Sequence, residues 1–321
     1  MFKSVFCDII FAMNRKIDYK INENDTGKTV EGFLKERGYT HQVLVRLKQT
    51  DHGILRNGIW AYTNERLCKD DLITVQIVEN ECSDNIAPVN LPLDIAYEDD
   101  DIIVINKPFD MPAHPSAGNH DNTLANALMY YYGSQNKPFV YRCINRLDRD
   151  TTGLTIVAKH ALAGGILGNA VAKHALAGGI LGNAVAKRAI HRTYYAVCSG
   201  CTPACMRISA PIARKDASTI ERCVDFKRGE NAVTDFIRIK YNPDNNLSLV
   251  KLRLLTGRTH QIRVHMKYIG FPLIGDFLYN PDYTYISRQA LHSGRLVFTH
   301  PVTGQKMNLI SDIPSDMKSL F

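Results

Sequence analysis

The chain has no long apolar run. Its most apolar early stretch, Ile9-Ile10-Phe11-Ala12, follows Asp8, is too short to span a bilayer and precedes no small-residue cleavage pattern, which argues against a secretory signal. A regular cysteine framework is also missing. The eight cysteines include Cys198, Cys201 and Cys205 with Cys223 further on, but one Cys-x2-Cys pair without a second tight pair is a poor zinc site. Free thiols in a reducing, cytoplasmic compartment are therefore expected. No Gly-Lys-Ser/Thr follows the glycine pairs at 164–165 and 178–179, so they do not form a phosphate-binding loop. Acidic residues, finally, are absent between Asp244 and Asp276, where Lys251, Arg253, Arg258, Arg263 and Lys267 fall. Such a run suits a polyanion, whose phosphates attract clustered cations, or else forms a solvated charged face.

The formal charge of +7 is unevenly placed: residues 1–91 carry 12 Lys and Arg against 13 Asp and Glu, while residues 92–321 carry 27 against 19. With 321 residues and 45% hydrophobic content, the chain can build one large domain or a small and a larger one. Residues 1–15 read as a tail or a start placed too early, with Met13 as the alternative start. A small module is expected over 16–80. In it, Val30, Phe33 and Leu34 lie at helical spacing, His41–Lys48 offers a second short helix, Arg56-Asn57-Gly58 is a turn between two extended pieces, and Leu72–Ile77 closes as a strand. Residues 81–92, with two prolines, form a linker. The second domain starts at Leu93, and Ile95–Pro108 reads as two strands joined by an acidic turn.

Residues 158–171 recur identically at 172–185, a 14-residue tandem copy. Two copies cannot stack a solenoid core, so this is a duplication rather than a repeat fold. Helical throughout, the second copy would add roughly 21 Å of helix, but each copy carries three glycines, each costing about 1 kcal/mol relative to Ala. One copy is expected to occupy the helix, with the other bulging as a loop or helical hairpin, and the small residues are expected to serve close packing.

Two blocks bear on function: Asn145-Arg146-Leu147-Asp148-Arg149-Asp150-Thr151-Thr152-Gly153 and Thr256-Gly257-Arg258-Thr259-His260-Gln261-Ile262-Arg263-Val264-His265. They resemble the paired motifs of the RluA-type family of RNA pseudouridine synthases, with Asn145 for the usual His and Thr152 for Ser. Arg192-Thr193-Tyr194-Tyr195-Ala196 is similar to that family's Lys-x-Tyr-x-Ala, and Gly270–Tyr279 to a further block. Asp148 lies 46 positions before Tyr194, or 32 without one copy of the repeat, which is the spacing the resemblance implies. The resemblance covers residues 93–310. It implies an α+β pseudouridine synthase fold with a mixed, largely antiparallel central sheet, and the order of elements in residues 16–80 resembles an S4-like RNA-binding domain.

The reaction so implied breaks the ribose C1′–N1 bond of a uridine, turns the base over and rejoins it through C5. It needs a carboxylate near C1′, acting as nucleophile or as base, and a site for the freed uracil. On the resemblance Asp148 is that carboxylate, and Arg146 helps to extrude the target nucleotide, although an ion pair with Asp150 is its ordinary alternative. Tyr194 would pack on the uracil, and Arg263 would keep Asp148 ionised. Arg258, His260 and Gln261 read as supports of the pocket and contacts to RNA. Taken as a strand, this segment places Ile262 and Arg263 on opposite faces. No metal, nucleotide or redox cofactor is implied. The partner is structured RNA, ribosomal first and transfer RNA second, met by a monomer. A binding or ribosome-assembly factor that kept the fold but lost turnover is the rival reading. A hydrolase or lyase acting on a free nucleoside is more remote.

Overall fold

The computed structural model describes residues 13–176 and 190–321, with side chains of 172–176 left aside. The N-terminal module contains β1 (Met13–Lys20), α1 (Val30–Glu36), α2 (His41–Gln49), β2 (Ile54–Arg56), β3 (Ile59–Trp60) and β4 (Leu72–Glu79). Both helices form where apolar spacing predicts them, each opened by a threonine whose hydroxyl accepts a first-turn backbone N–H, Thr29 and Thr40. The turn at Asn57-Gly58 has positive φ at both residues, which lets the tight hairpin follow the twist of its strands. The sheet runs β1-β4-β2-β3. Its first strand starts at Met13 and pairs along its length with β4, so the expected boundary at residue 16 falls inside a strand.

The second part carries β5 (Ile95–Glu98), β6 (Ile102–Lys107), α3 (Leu124–Gly133), β7 (Arg142–Cys143), β8 (Thr152–Ala158), α4 (Ala161–Leu176), β9 (His191–Ser199) and β10 (Cys205–Ser209). Then follow β11 (Ile212–Arg214), β12 (Arg222–Val224), β13 (Val233–Asn242), β14 (Leu247–Leu254), α5 (Gln261–Tyr268), β15 (Leu291–Thr299), β16 (Lys306–Ile310) and α6 (Ser315–Lys318). A mixed sheet runs β10-β13-β14-β9-β15-β8-β6-β5, with β16 on β15 and β7 on β8. All of its pairings are antiparallel except β8 with β15.

Strands β6 and β8 are buried along nearly their whole length because both of their faces are covered. Ile102, Val104, Leu154 and Ile156 pack with Leu167 and Ala170 of α4, whereas Ile103, Ile105 and Val157 pack with Leu124 and Leu128 of α3. The first copy of the repeat therefore supplies the core helix. A Cβ at Gly164 would lie 3.2 Å from the Arg142 side chain and one at Gly165 3.2 Å from Thr40, so these glycines permit the close packing expected of them. The fate of the second copy beyond residue 176 lies outside the described residues.

The two parts are tied together by buried polar contacts. Arg15 donates to both oxygens of Asp101 (2.7 and 3.0 Å), Arg142 donates to Glu79 (2.8 Å), and Glu79 accepts the Ala161 N–H at 2.8 Å. The presumed linker is itself packed, with Ile86 buried against the α3 face. Among the described residues, no helix is long and apolar enough to cross a membrane.

Candidate active site

The parallel pairing of β8 with β15 is short, His292 with Thr152 and Ser293 with Gly153, and the Asp148 turn sits at its mouth. Gly153 makes the crossing possible: its φ is 105°, and a Cβ there would lie 2.4 Å from the Ser293 carbonyl oxygen. Neighbouring side chains hold the turn. Thr152 Oγ1 is 2.9 Å from His292 Nδ1, and Gln289 donates to Thr151 Oγ1 at 2.6 Å. Lys107, 1% exposed, donates from Nζ to the carbonyls of Pro108, Met111 and Arg149 at 2.7–2.8 Å, which staples the residue after Asp148 to the loop after β6. Burial pushes its pKa down to about 7, with the charges of Asp150 and Asp148 opposing. Asn145, in the place of the more usual His, is buried and bridges the backbone of β8 through Leu154 and Ile156.

Asp148 lines an open pocket together with Arg146, Tyr194, His260 and Arg263. Arg263 donates from Nη1 to Asp148 Oδ2 at 2.9 Å, and from Nε and Nη2 to the two oxygens of Asp276, both at 2.7 Å. Arg263 is 1% exposed and Asp276 is fully buried. One guanidinium thus joins an inner carboxylate to one whose side chain is 31% exposed. Burial opposes the charge of Arg263, but its hydrogen bonds and the two carboxylates raise its pKa above the ordinary value. The rings of Phe277 and Tyr279 flank the guanidinium at 5.4 and 5.0 Å from their centroids.

Arg263 stands on helix α5, which overturns the strand reading of this segment. Residues 261–268 do alternate, with Ile262, Val264 and Met266 apolar, but Gln261 to Met266 are all buried, because the polar set finds internal partners. Ile262 and Arg263, successive residues of a helix, accordingly lie about 100° apart rather than on opposite faces. Gln261 lines the pocket and is buried. Its amide oxygen accepts from Thr256 Oγ1 and the Arg258 N–H, and its nitrogen donates to Val233 O and Thr234 Oγ1, so it braces the loop against β13.

His260 takes a left-handed backbone conformation, φ 57°, just before α5. Its Nδ1 is 2.9 Å from the Tyr279 hydroxyl, which also accepts the Arg222 N–H, and its Nε2 is 3.9 Å from Asp148 Oδ2. Burial lowers its pKa, partly opposed by the Asp148 charge. Arg258 pairs with Glu230 at the edge of the pocket. Arg146 is exposed, and the ion pair with Asp150 belongs to Arg149 instead, at 3.0 Å. The acid-free stretch is likewise no single basic face: Lys251 and Arg253 point outward from β14, whereas Arg263 points in. The cysteines near 200 do not converge, since Cys198 is buried in the core while Cys201 and Cys205 are exposed.

Tyr194 is 5% exposed on β9, and Tyr195 packs on the other side of the sheet against the chain's C-terminal cluster. Burial raises the pKa of the Tyr194 hydroxyl, with the Arg192 cation acting against the rise. Sequence reasoning missed three contributors: Asp276, Lys107 and Arg192. Asp276 and Arg192 stand in blocks that match the motifs, but no spacing shows that Asp276 pairs with Arg263 or that Lys107 donates to the Arg149 carbonyl.

A family model described as RNA pseudouridylate synthase matches residues 101–268. The chain is 37% identical over 295 residues to YjbO, an uncharacterized RNA pseudouridine synthase of Bacillus subtilis, covering 91% of this chain and 98% of that one. To ribosomal large subunit pseudouridine synthase D of Escherichia coli K12 it is 34% identical over 327 aligned positions, covering 97% of this chain and 94% of the relative. The solved structure of human RNA pseudouridylate synthase domain containing 1 superposes with a TM-score of 0.54 at 24% identity, over 69% of this chain and 83% of the human one. That last likeness speaks for the fold.

Proposed function

The chain belongs to the RNA pseudouridylate synthase family, an isomerase family acting on RNA, and on that premise we propose that it converts particular uridines of ribosomal RNA to pseudouridine with Asp148 as the catalytic carboxylate. The observation that carries this reading is the pairing of half-exposed Asp148 with buried Arg263, itself anchored by Asp276, in the pocket that Tyr194 lines. The cation orients the carboxylate, which stays open to a ligand on its remaining edge.

In the reaction the C1′–N1 bond breaks with its electron pair on the base. C1′ then joins C5, C5 loses its proton and N1 gains one, so the composition is unchanged. Asp148 would either attack C1′ or take a ribose proton. Arg263 holds it in place, and the Tyr194 ring supplies a face for the flipped uracil. Exposed Arg146 would fill the gap that the extruded nucleotide leaves, and Arg258 would meet the backbone at the edge. The N-terminal module is assigned, from its order of elements, as an S4-like RNA-binding unit of a cytoplasmic, monomeric enzyme that uses no cofactor. Ribosomal RNA is preferred because the curated relatives include ribosomal large subunit pseudouridine synthases.

The test is incubation of wild type and Asp148→Asn with unmodified large-subunit ribosomal RNA transcripts, followed by position-resolved pseudouridine mapping. Product with wild type and none with the variant supports the assignment. Equal product from both would remove Asp148 from the chemistry, and none from either would favour a binding factor.

A further inference from the structure

Among the described residues three arginines are buried: Arg263, Arg288 and Arg192. Arg263 has two carboxylates, and Arg288 pairs with Asp316 at 2.8 and 2.9 Å. Arg192, 9% exposed, pairs with none among the described residues, and its Nε is sealed from solvent without a hydrogen-bond acceptor. A buried guanidinium with no counter-charge is unfavourable unless something else supplies the charge.

Its position says what that charge is. Arg192 and Tyr194 are two residues apart on β9 and so project from the same side. Both line the pocket of Asp148. The Arg192 guanidinium lies under Gly257, where a Cβ would come within 3.1 Å of Nη2, so the glycine lets the loop before α5 close over it. Asp148 is already held by Arg263 and does not draw Arg192 into a pair.

Resting on the pseudouridine synthase reading above, we propose that Arg192 is a catalytic residue that receives the detached uracil, donating a hydrogen bond and its positive charge to a carbonyl oxygen of the base. When C1′–N1 breaks, the electron pair stays on the uracil and spreads from N1 onto its two carbonyl oxygens. The base then carries the negative charge that no described carboxylate brings to Arg192. Joining C5 to C1′, loss of the C5 proton to solvent and protonation of N1 discharge it, and Arg192 neither gains nor loses a proton. Placement deep beside Tyr194 favours the base over a phosphate, because phosphates stay at the pocket mouth, where Arg146 and Arg258 are more exposed. Donors aimed at charge that develops only during reaction, in a site shielded from water, are the stronger kind of electrostatic catalyst.

The experiment measures single-turnover pseudouridine formation on an unmodified large-subunit ribosomal RNA transcript with wild type, Arg192→Met, Arg192→Gln and Arg192→Lys. Filter binding of the same transcript across a salt series and thermal melting accompany it. Arg192→Met is expected to lose about 100-fold in rate at saturating enzyme, with affinity and salt dependence unchanged and with Lys recovering part of the loss. Gln, which drops the charge but keeps an N–H donor on a shorter side chain, replaces Met if that variant does not fold. A wild-type rate in Met or Gln overturns the proposal. So does weakened binding with a shallower salt slope and an unchanged saturated rate, which would mark a phosphate contact. Equal loss in all three variants together with lowered melting would mark a structural role and overturn it as well. Wild type that makes no product removes the underlying reading and this inference with it, whereas active wild type beside equally active Arg192→Met removes this inference alone.

Discussion

Replacing Asp276 by Asn should uncouple stability from chemistry at this site. Asp276 and Arg263 are 0% and 1% exposed, and their paired hydrogen bonds are both 2.7 Å long. Removing one member of such a pair leaves an uncompensated buried charge, which costs about 3–5 kcal/mol. Asp276→Asn should fall at the lower end of that range, because Asp148 still faces Arg263 and the amide oxygen can keep accepting the Leu278 and Tyr279 N–H groups. Arg263→Met should fall at the upper end, since it strands a carboxylate that has no access to water. In the double variant neither the stranded carboxylate nor the stranded guanidinium remains, so its loss should be smaller than the sum of the singles by roughly 2 kcal/mol or more. Urea denaturation of the four proteins measures this coupling directly. Pseudouridine formation should nevertheless stay at least about 100-fold below wild type in both Met-bearing variants, because Asp148 has lost its cation in each. Coupling below about 0.5 kcal/mol, or activity returning with stability in the double variant, would refute the reasoning.

Gly153→Ala should destabilise by about 3 kcal/mol or more, read by urea denaturation, because the left-handed φ of 105° and the Ser293 carbonyl 2.4 Å away leave no room at the β8–β15 crossing. Deletion of residues 172–185 should leave melting near that of the parent, since the first copy supplies buried Leu162, Ala163, Leu167 and Ala170; a large drop would show that the second copy carries core packing. Stability should also fall with acid. Burial holds the pKa of His292 down to about 4, so between its ordinary value near 6.5 and 4 the unfolded chain binds a proton that the folded chain does not. Stability should thus be level above about pH 6.5 and lose on the order of 3 kcal/mol toward pH 4 from this group, with His260 and His265, also lowered by burial, adding to the slope. Thermal melts of wild type and His292→Gln across that range would check it, and an unchanged slope in the variant would remove His292 from the account.

What the sequence determined by itself was local. Val30, Phe33 and Leu34 at helical spacing, the Asn57-Gly58 turn and the two strands within Ile95–Pro108 each carry their conformation in neighbouring residues, and the structure has the elements they predict. The two motif blocks likewise marked the Asp148 turn and the Arg263 segment as the place to look. The tertiary structure decided what those residues touch. Residues 261–268 alternate like a strand yet form a helix, because Gln261, Arg263 and His265 find partners inside the fold, and no pattern of hydropathy records a buried polar pair. The second carboxylate on Arg263, the internal hydrogen bonds of Gln261 and the Arg192 Nε that finds no acceptor among the described residues depend on segments brought together by sheet register. An alternating pattern gives the side on which a residue points. Whether a counter-charge waits there is settled only when distant strands are in place, and the energy of a buried charge turns on that neighbour.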